Sequence, residues 1–129
     1  MKRCNALRSG RSSRNSYRGC TVRPDLRLAI YLRDSFTCLF CLRDLHSAAP
    51  MDVTLDHLLP HGRGGENTPR NLITACRSCN CSRGDKPLTR FASPEARAHI
   101  SRNRNRSIRC YRVLAKAIIA GEIEDPRKS

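Results

Sequence analysis

Two cysteine pairs, Cys38-Leu39-Phe40-Cys41 and Cys76-Arg77-Ser78-Cys79, repeat the C-x2-C spacing. A tight turn with that spacing can aim two thiolates at one ion, and two such turns complete a tetrahedral four-sulfur site for Zn2+. Four thiolates leave no position open to water, so a metal held there is structural. The 34 residues between the pairs exceed the ~15–20 of a common zinc ribbon, so a further unit is inserted between the knuckles. Within it Asp56 and His57 are adjacent, and Asn80 directly follows the second pair. A neutral imidazole suits proton abstraction from water near pH 7. A carboxylate and an amide oxygen are hard donors that suit Mg2+ or Mn2+. Cys81 is an alternative sulfur donor one residue past Asn80, whereas Cys4, Cys20 and Cys110 have no motif spacing and read as free thiols.

The elements that must position these groups can be read coarsely. Pro24 suits a first helical position, and Leu26, Ala29, Ile30 and Leu32 give Asp25 to Arg33 a buried helical stripe. Asp34 to Thr37 reads as a turn into Cys38. Met51 to Leu55 alternates as a strand, Pro60 to Arg70 is loop, and Asn71 to Ala75 is a second short strand. A polar helix follows from Arg77 to Gly84, where Gly stops it and Pro87 forbids resumption. Ser93-Pro94-Glu95 opens another helix toward Ile100, and Ser107 to Ala120 carries an apolar face on a basic helix. Two strands around a loop, then a helix, make a ββα unit within an α+β fold.

The chain has 129 residues, the length of one ordinary domain. Six aromatics and no Trp imply a small core, which a metal staple would help to hold. The formal charge is +14, and 21 of the 25 basic residues are Arg, whose planar fork matches phosphate. That charge is uneven: residues 1–23 carry +7, residues 24–89 only +1, and residues 90–129 +6. A nearly neutral centre thus stands between a basic arm, expected to be disordered for want of apolar residues, and a basic helical extension. Nucleic acid, met mainly through its phosphate backbone, is the expected partner; a solvated tail or an organelle transit peptide are the duller readings of the arm. No apolar run resembles a secretory signal or a membrane span, so a reducing cytoplasm is the default expectation.

Asp56-His57-Leu58-Leu59-Pro60-His61-Gly62-Arg63-Gly64-Gly65-Glu66-Asn67, then Asn71-Leu72, then Cys76-Arg77-Ser78-Cys79-Asn80 resembles the HNH endonuclease family in its four-cysteine form. The resemblance spans residues 26–88 and implies a ββα-metal nuclease core stapled by zinc on Cys38, Cys41, Cys76 and Cys79. It further implies that the first strand ends in Asp56 as a ligand of the catalytic ion and His57 as general base. Asn71 would pin the loop and help to orient the histidine, and Asn80 would be the second protein ligand. Arg83-Gly84 stands where the family usually has Lys-Gly, and Ser35 where many members have Gly. Arg63, Arg77, Arg83 and Lys86 are the basic residues of the core expected to meet DNA.

Phosphodiester hydrolysis needs an activated water, charge stabilisation at phosphorus and a protected leaving oxygen. His57 and a divalent ion on Asp56 and Asn80 would act on opposite sides of one phosphate. Adjacent strand residues point to opposite faces, so Asp56 and His57 converge only if the strand ends or bends there, as Leu59-Pro60 would allow. His61 reads as an exposed or phosphate-contacting residue, and His46 and His99 belong to no constellation. Gly62, Gly64 and Gly65 read as permitting unusual backbone angles. A non-catalytic zinc-knuckle protein that binds DNA or RNA is the rival function.

Overall fold

A computed structural model describes residues 21–128; the expected arm therefore lies outside the described residues except for Thr21 to Arg23, as do Cys4 and Cys20. Helix α1 runs Pro24–Arg33 with Pro at its first position. A turn follows in which Ser35 and Phe36 both take positive φ, 55° and 48°. That left-handed backbone favours glycine, a physical reason for the Gly that the resemblance puts at position 35. The turn leads into the first knuckle, which an isolated bridge between Thr37 and Asp44 closes.

Strand β1, Val53–His57, pairs antiparallel with β2, Leu72–Cys76. Helix α2, Arg77–Arg83, follows β2 without a linker, and Cys76 serves as its N-cap, its sulfur accepting from the Cys79 N–H. The expected ββα unit is therefore present. β1 runs two residues further than Leu55 because His57 still pairs with Leu72. Beyond it come α3, Leu88–Phe91, which the sequence did not announce, then α4, Pro94–Arg104, and α5, Arg109–Ile119. Ser93 caps α4 by accepting from the Ala96 N–H, and α4 passes Ile100 by a full turn. Among the described residues, no helix is long and apolar enough to cross a membrane.

The basic extension is built into the core. Ala115 of α5 is fully buried with Leu28, Ala29 and Tyr31 of α1, while Ile108, Tyr111 and Ile118 pack around them. Ile100 of α4 meets Ile73 and Leu39 on the opposite face of the sheet. The two strands are thus covered by α1 on one face and by α2 and α4 on the other, which is how so short a sheet buries both sides.

Candidate active site and metal centre

The knuckles meet as their spacing requires. The ligand sulfurs of Cys38, Cys41, Cys76 and Cys79 all lie within 4.8 Å of one another, and Cys41 Sγ is 3.9 Å from Cys76 Sγ. Tetrahedral Zn–S bonds of about 2.3 Å demand sulfurs about 3.8 Å apart, so the four can hold a metal such as zinc. Each knuckle directs an N–H at its first sulfur, Cys41 to Cys38 at 3.5 Å and Cys79 to Cys76 at 3.4 Å. Burial pushes the Cys38 and Cys79 thiols up. Burial also opposes the Cys76 thiolate, but the Cys79 N–H and neighbouring thiols outweigh it and hold Cys76 below its ordinary value. Cys81, the alternative donor, is disulfide-bonded and stands outside the four, whereas Cys110 is free and exposed.

The second constellation is built on the end of β1. Thr54 and Asp56 share one face of the strand, and Leu55 and His57 the other. Asn80 of α2 sits over the first face, its amide nitrogen donating to Thr54 Oγ1 at 3.0 Å and to the Leu55 carbonyl at 3.1 Å. This leaves the amide oxygen as the atom Asn80 can offer a cation. Asp56 lies on the same face but is only 6 % exposed, and its Oδ2 accepts from Arg83 Nη1. Burial pushes the Asp56 carboxyl up to about 6, although the adjacent guanidinium pulls the other way.

Arg83 corrects an expectation. It was assigned to phosphate, yet it is 2 % exposed and its guanidinium is spent internally. Besides Asp56, it donates to the carbonyls of His57 at 3.1 Å, Leu58 at 2.9 Å and Lys86 at 2.9 Å. One planar fork thus ties the end of β1 to the segment after α2, and its burial keeps it away from DNA. The sequence held the signal: Arg83 follows Asn80 by three, so in a helix both face the strand. Arg63 and Lys86 are exposed and Arg77 half-buried.

His57 leaves β1 on the face opposite to Asp56, because the strand continues through it rather than ending at 56. Its Nε2 lies 2.7 Å from Asn67 Oδ1. Asn71 instead holds the loop between the strands: its Oδ1 accepts from the Leu59 N–H at 2.8 Å, and its Nδ2 donates to the carbonyls of Leu59 and Glu66, both at 3.0 Å. The side chain that hydrogen-bonds the histidine ring is therefore Asn67, ten residues downstream, which the sequence places in the resembling stretch but gives no role. His61 is exposed, His46 pairs with Asp44, and His99 Nδ1 accepts from Arg102.

The loop glycines divide by physical role. Gly64 takes φ 92°, as a left-handed glycine. Gly65 is needed for space instead, since a Cβ there would lie 1.7 Å from the Leu59 carbonyl oxygen and 2.9 Å from Asn71 Nδ2. Gly62 has open space and no positive φ. Gly65→Ala is expected to push Leu59 and Asn71 apart and to cost about 1–3 kcal/mol, whereas Gly62→Ala should be nearly neutral. Urea unfolding of the two variants measures the difference.

A buried ion pair that composition could not reveal closes the far end of this loop. Arg33 and Asp34 side chains are fully buried, with Nε 2.8 Å from Oδ1. Arg33 also donates to the carbonyls of Pro69 and Leu72, both at 2.8 Å, and Asp34 accepts from the Thr74 N–H at 2.9 Å and from Asn103 of α4 at 3.2 Å.

With knuckles, ββα unit and pinned loop in place, the comparison with known families bears on the central segment. Residues 38–86 match the family described as HNH endonuclease. The match covers 49 of the 129 residues, so it is the central segment that is similar to this family. No curated protein and no solved structure matches it. The HNH match begins at Cys38 and ends at Lys86, so α1 and α4, which cover its sheet, and α5, which packs on α1, lie outside it.

Proposed function

We propose that the chain is a metal-dependent DNA endonuclease in which His57 is the general base and Asp56 and Asn80 hold one Mg2+ or Mn2+. The observation that carries this reading is the seating of Asp56 and Asn80 on one face at the end of β1 with His57 on the other. A phosphate lying across that end is approached by the base from one side and by hard oxygen donors from the other. The donor chemistry fits such an ion: Arg83 takes only Oδ2 of Asp56, and the Asn80 oxygen is its remaining donor. When bound, the ion would supply Lewis-acid stabilisation of charge at phosphorus and the leaving oxygen. His57 takes the proton of the attacking water, the bond from phosphorus to the 3′ oxygen breaks in line, the leaving 3′ oxygen takes a proton from solvent, and the products end in 5′-phosphate and 3′-hydroxyl.

The nuclease unit is assigned to residues 24–89, with residues 1–23 and 90–129 gripping the duplex through its phosphates. Counterion release makes such binding steeply salt-dependent. The core contacts are then Arg63, Arg77 and Lys86, without Arg83.

Arg83 also favours the rival, a zinc-knuckle protein that binds nucleic acid without cutting it, because a guanidinium already neutralises Asp56. Incubation with supercoiled plasmid and Mg2+ or Mn2+ decides between them. Cleavage by the wild type, with a loss of about 10²–10⁴-fold in His57→Ala, supports the nuclease. Equal cleavage by the two proteins refutes the base, and binding without cleavage by either supports the rival.

A further inference from the structure

The hydrogen bonds around His57 fix more than its position. Asn67 Nδ2 lies 3.1 Å from the Thr21 carbonyl oxygen, and Asn67 Oδ1 2.7 Å from His57 Nε2. A backbone carbonyl can only accept, so the Asn67 group that faces Thr21 is its amide nitrogen. The amide oxygen therefore faces the imidazole. An amide oxygen also only accepts, so His57 Nε2 must carry the hydrogen, and the lone pair of the neutral ring falls on Nδ1.

Resting on the assignment of His57 as base, we propose that Asn67 is its positioning residue. Held by the Thr21 carbonyl, Asn67 locks the ring orientation and the Nε2–H tautomer, and Nδ1 is the nitrogen that takes the proton from water. The anchor is firm because the next residue, Val22, is 5 % exposed and packs with Leu26, Ile30 and Leu72. Thr21 precedes α1 and lies 46 residues from Asn67, outside the HNH match. A segment beyond the matched domain thus orients the base, and orienting partners of this kind are commonly worth about 10–100-fold in activity.

Full-length zinc-loaded protein labelled with 15N-histidine, studied by long-range 1H–15N correlation at about pH 8, tests this without a turnover. The expected wild-type spectrum gives His57 a single tautomer protonated at Nε2, with that proton protected from water. Asn67→Ala should give rapid exchange of the proton and a mixed tautomer, at unchanged zinc content. Asn67→Asp, which keeps an acceptor oxygen, should restore the Nε2–H form. On plasmid, Asn67→Ala should lower kcat about 10–100-fold with KM unchanged, and Asn67→Asp, which keeps the acceptor for His57 but has no donor for the Thr21 carbonyl, should recover only part of it. A wild-type His57 protonated at Nδ1, or identical His57 spectra in wild type and Asn67→Ala, overturns the proposal. The wild-type spectrum stands by itself should Asn67→Ala fail to fold. Because the spectrum needs no cleavage, an inactive protein with the expected tautomer would refute the nuclease reading and leave the positioning intact.

Discussion

Cys76→Ser is expected to lose stoichiometric zinc and with it the folded state. Cys76 ends β2, caps α2 through its sulfur, and is 2 % exposed among Tyr31, Phe36 and Val53. Ser offers a shorter, harder oxygen that cannot close the four-sulfur tetrahedron. In small zinc-stapled folds the metal contributes about 10–16 kcal/mol, as much as the whole stability of an ordinary domain, about 5–15 kcal/mol. The core here is too small to compensate. Atomic emission for zinc per chain and far-ultraviolet circular dichroism measure the outcome, with Cys110→Ser, at an exposed position of α5, as the silent control. One zinc per chain in a folded Cys76→Ser protein would refute the four-sulfur site.

Arg83→Ala should be strongly destabilising. It strips one guanidinium from Asp56 and from the carbonyls of His57, Leu58 and Lys86 at once. An uncompensated buried carboxylate commonly costs about 3–5 kcal/mol, read as a lower urea midpoint. Arg83→Lys should recover only part, since an ammonium cannot reproduce the planar fork.

The pH dependence has a definite sign. Burial already raises Asp56 to about 6, above its ordinary 3.8, so between those values the native state holds its proton more tightly than the unfolded state does. This contribution to stability is full below about pH 4 and is lost as pH rises through 6. Without Arg83 the carboxyl rises further, so the gap between Arg83→Ala and wild type should widen from pH 5 to pH 7. Comparison at each pH cancels the acid sensitivity shared through the thiolates. A gap that narrows with rising pH would mean that Arg83 does not neutralise Asp56.

The sequence alone determined what depends on spacing and residue type. Two C-x2-C pairs specify a four-sulfur site because each turn is local, and the ββα order follows from alternation, a glycine-rich loop and a polar helix stop. Asp56, His57 and Asn80 were legible as candidate groups for the same reason. Tertiary structure decided their relations. Register, not type, carries β1 through His57 and sends adjacent side chains to opposite faces. Arg83, which charge counting assigns to phosphate, is turned inward because three residues of helix place it beside Asn80 over the strand. Asn67 reaches His57, and Thr21 reaches Asn67, only because α1 packs across the sheet and brings residue 21 to the loop. Hydrogen bonds between residues 10 and 46 positions apart leave no periodic trace in a chain, so only the packed core could assign them.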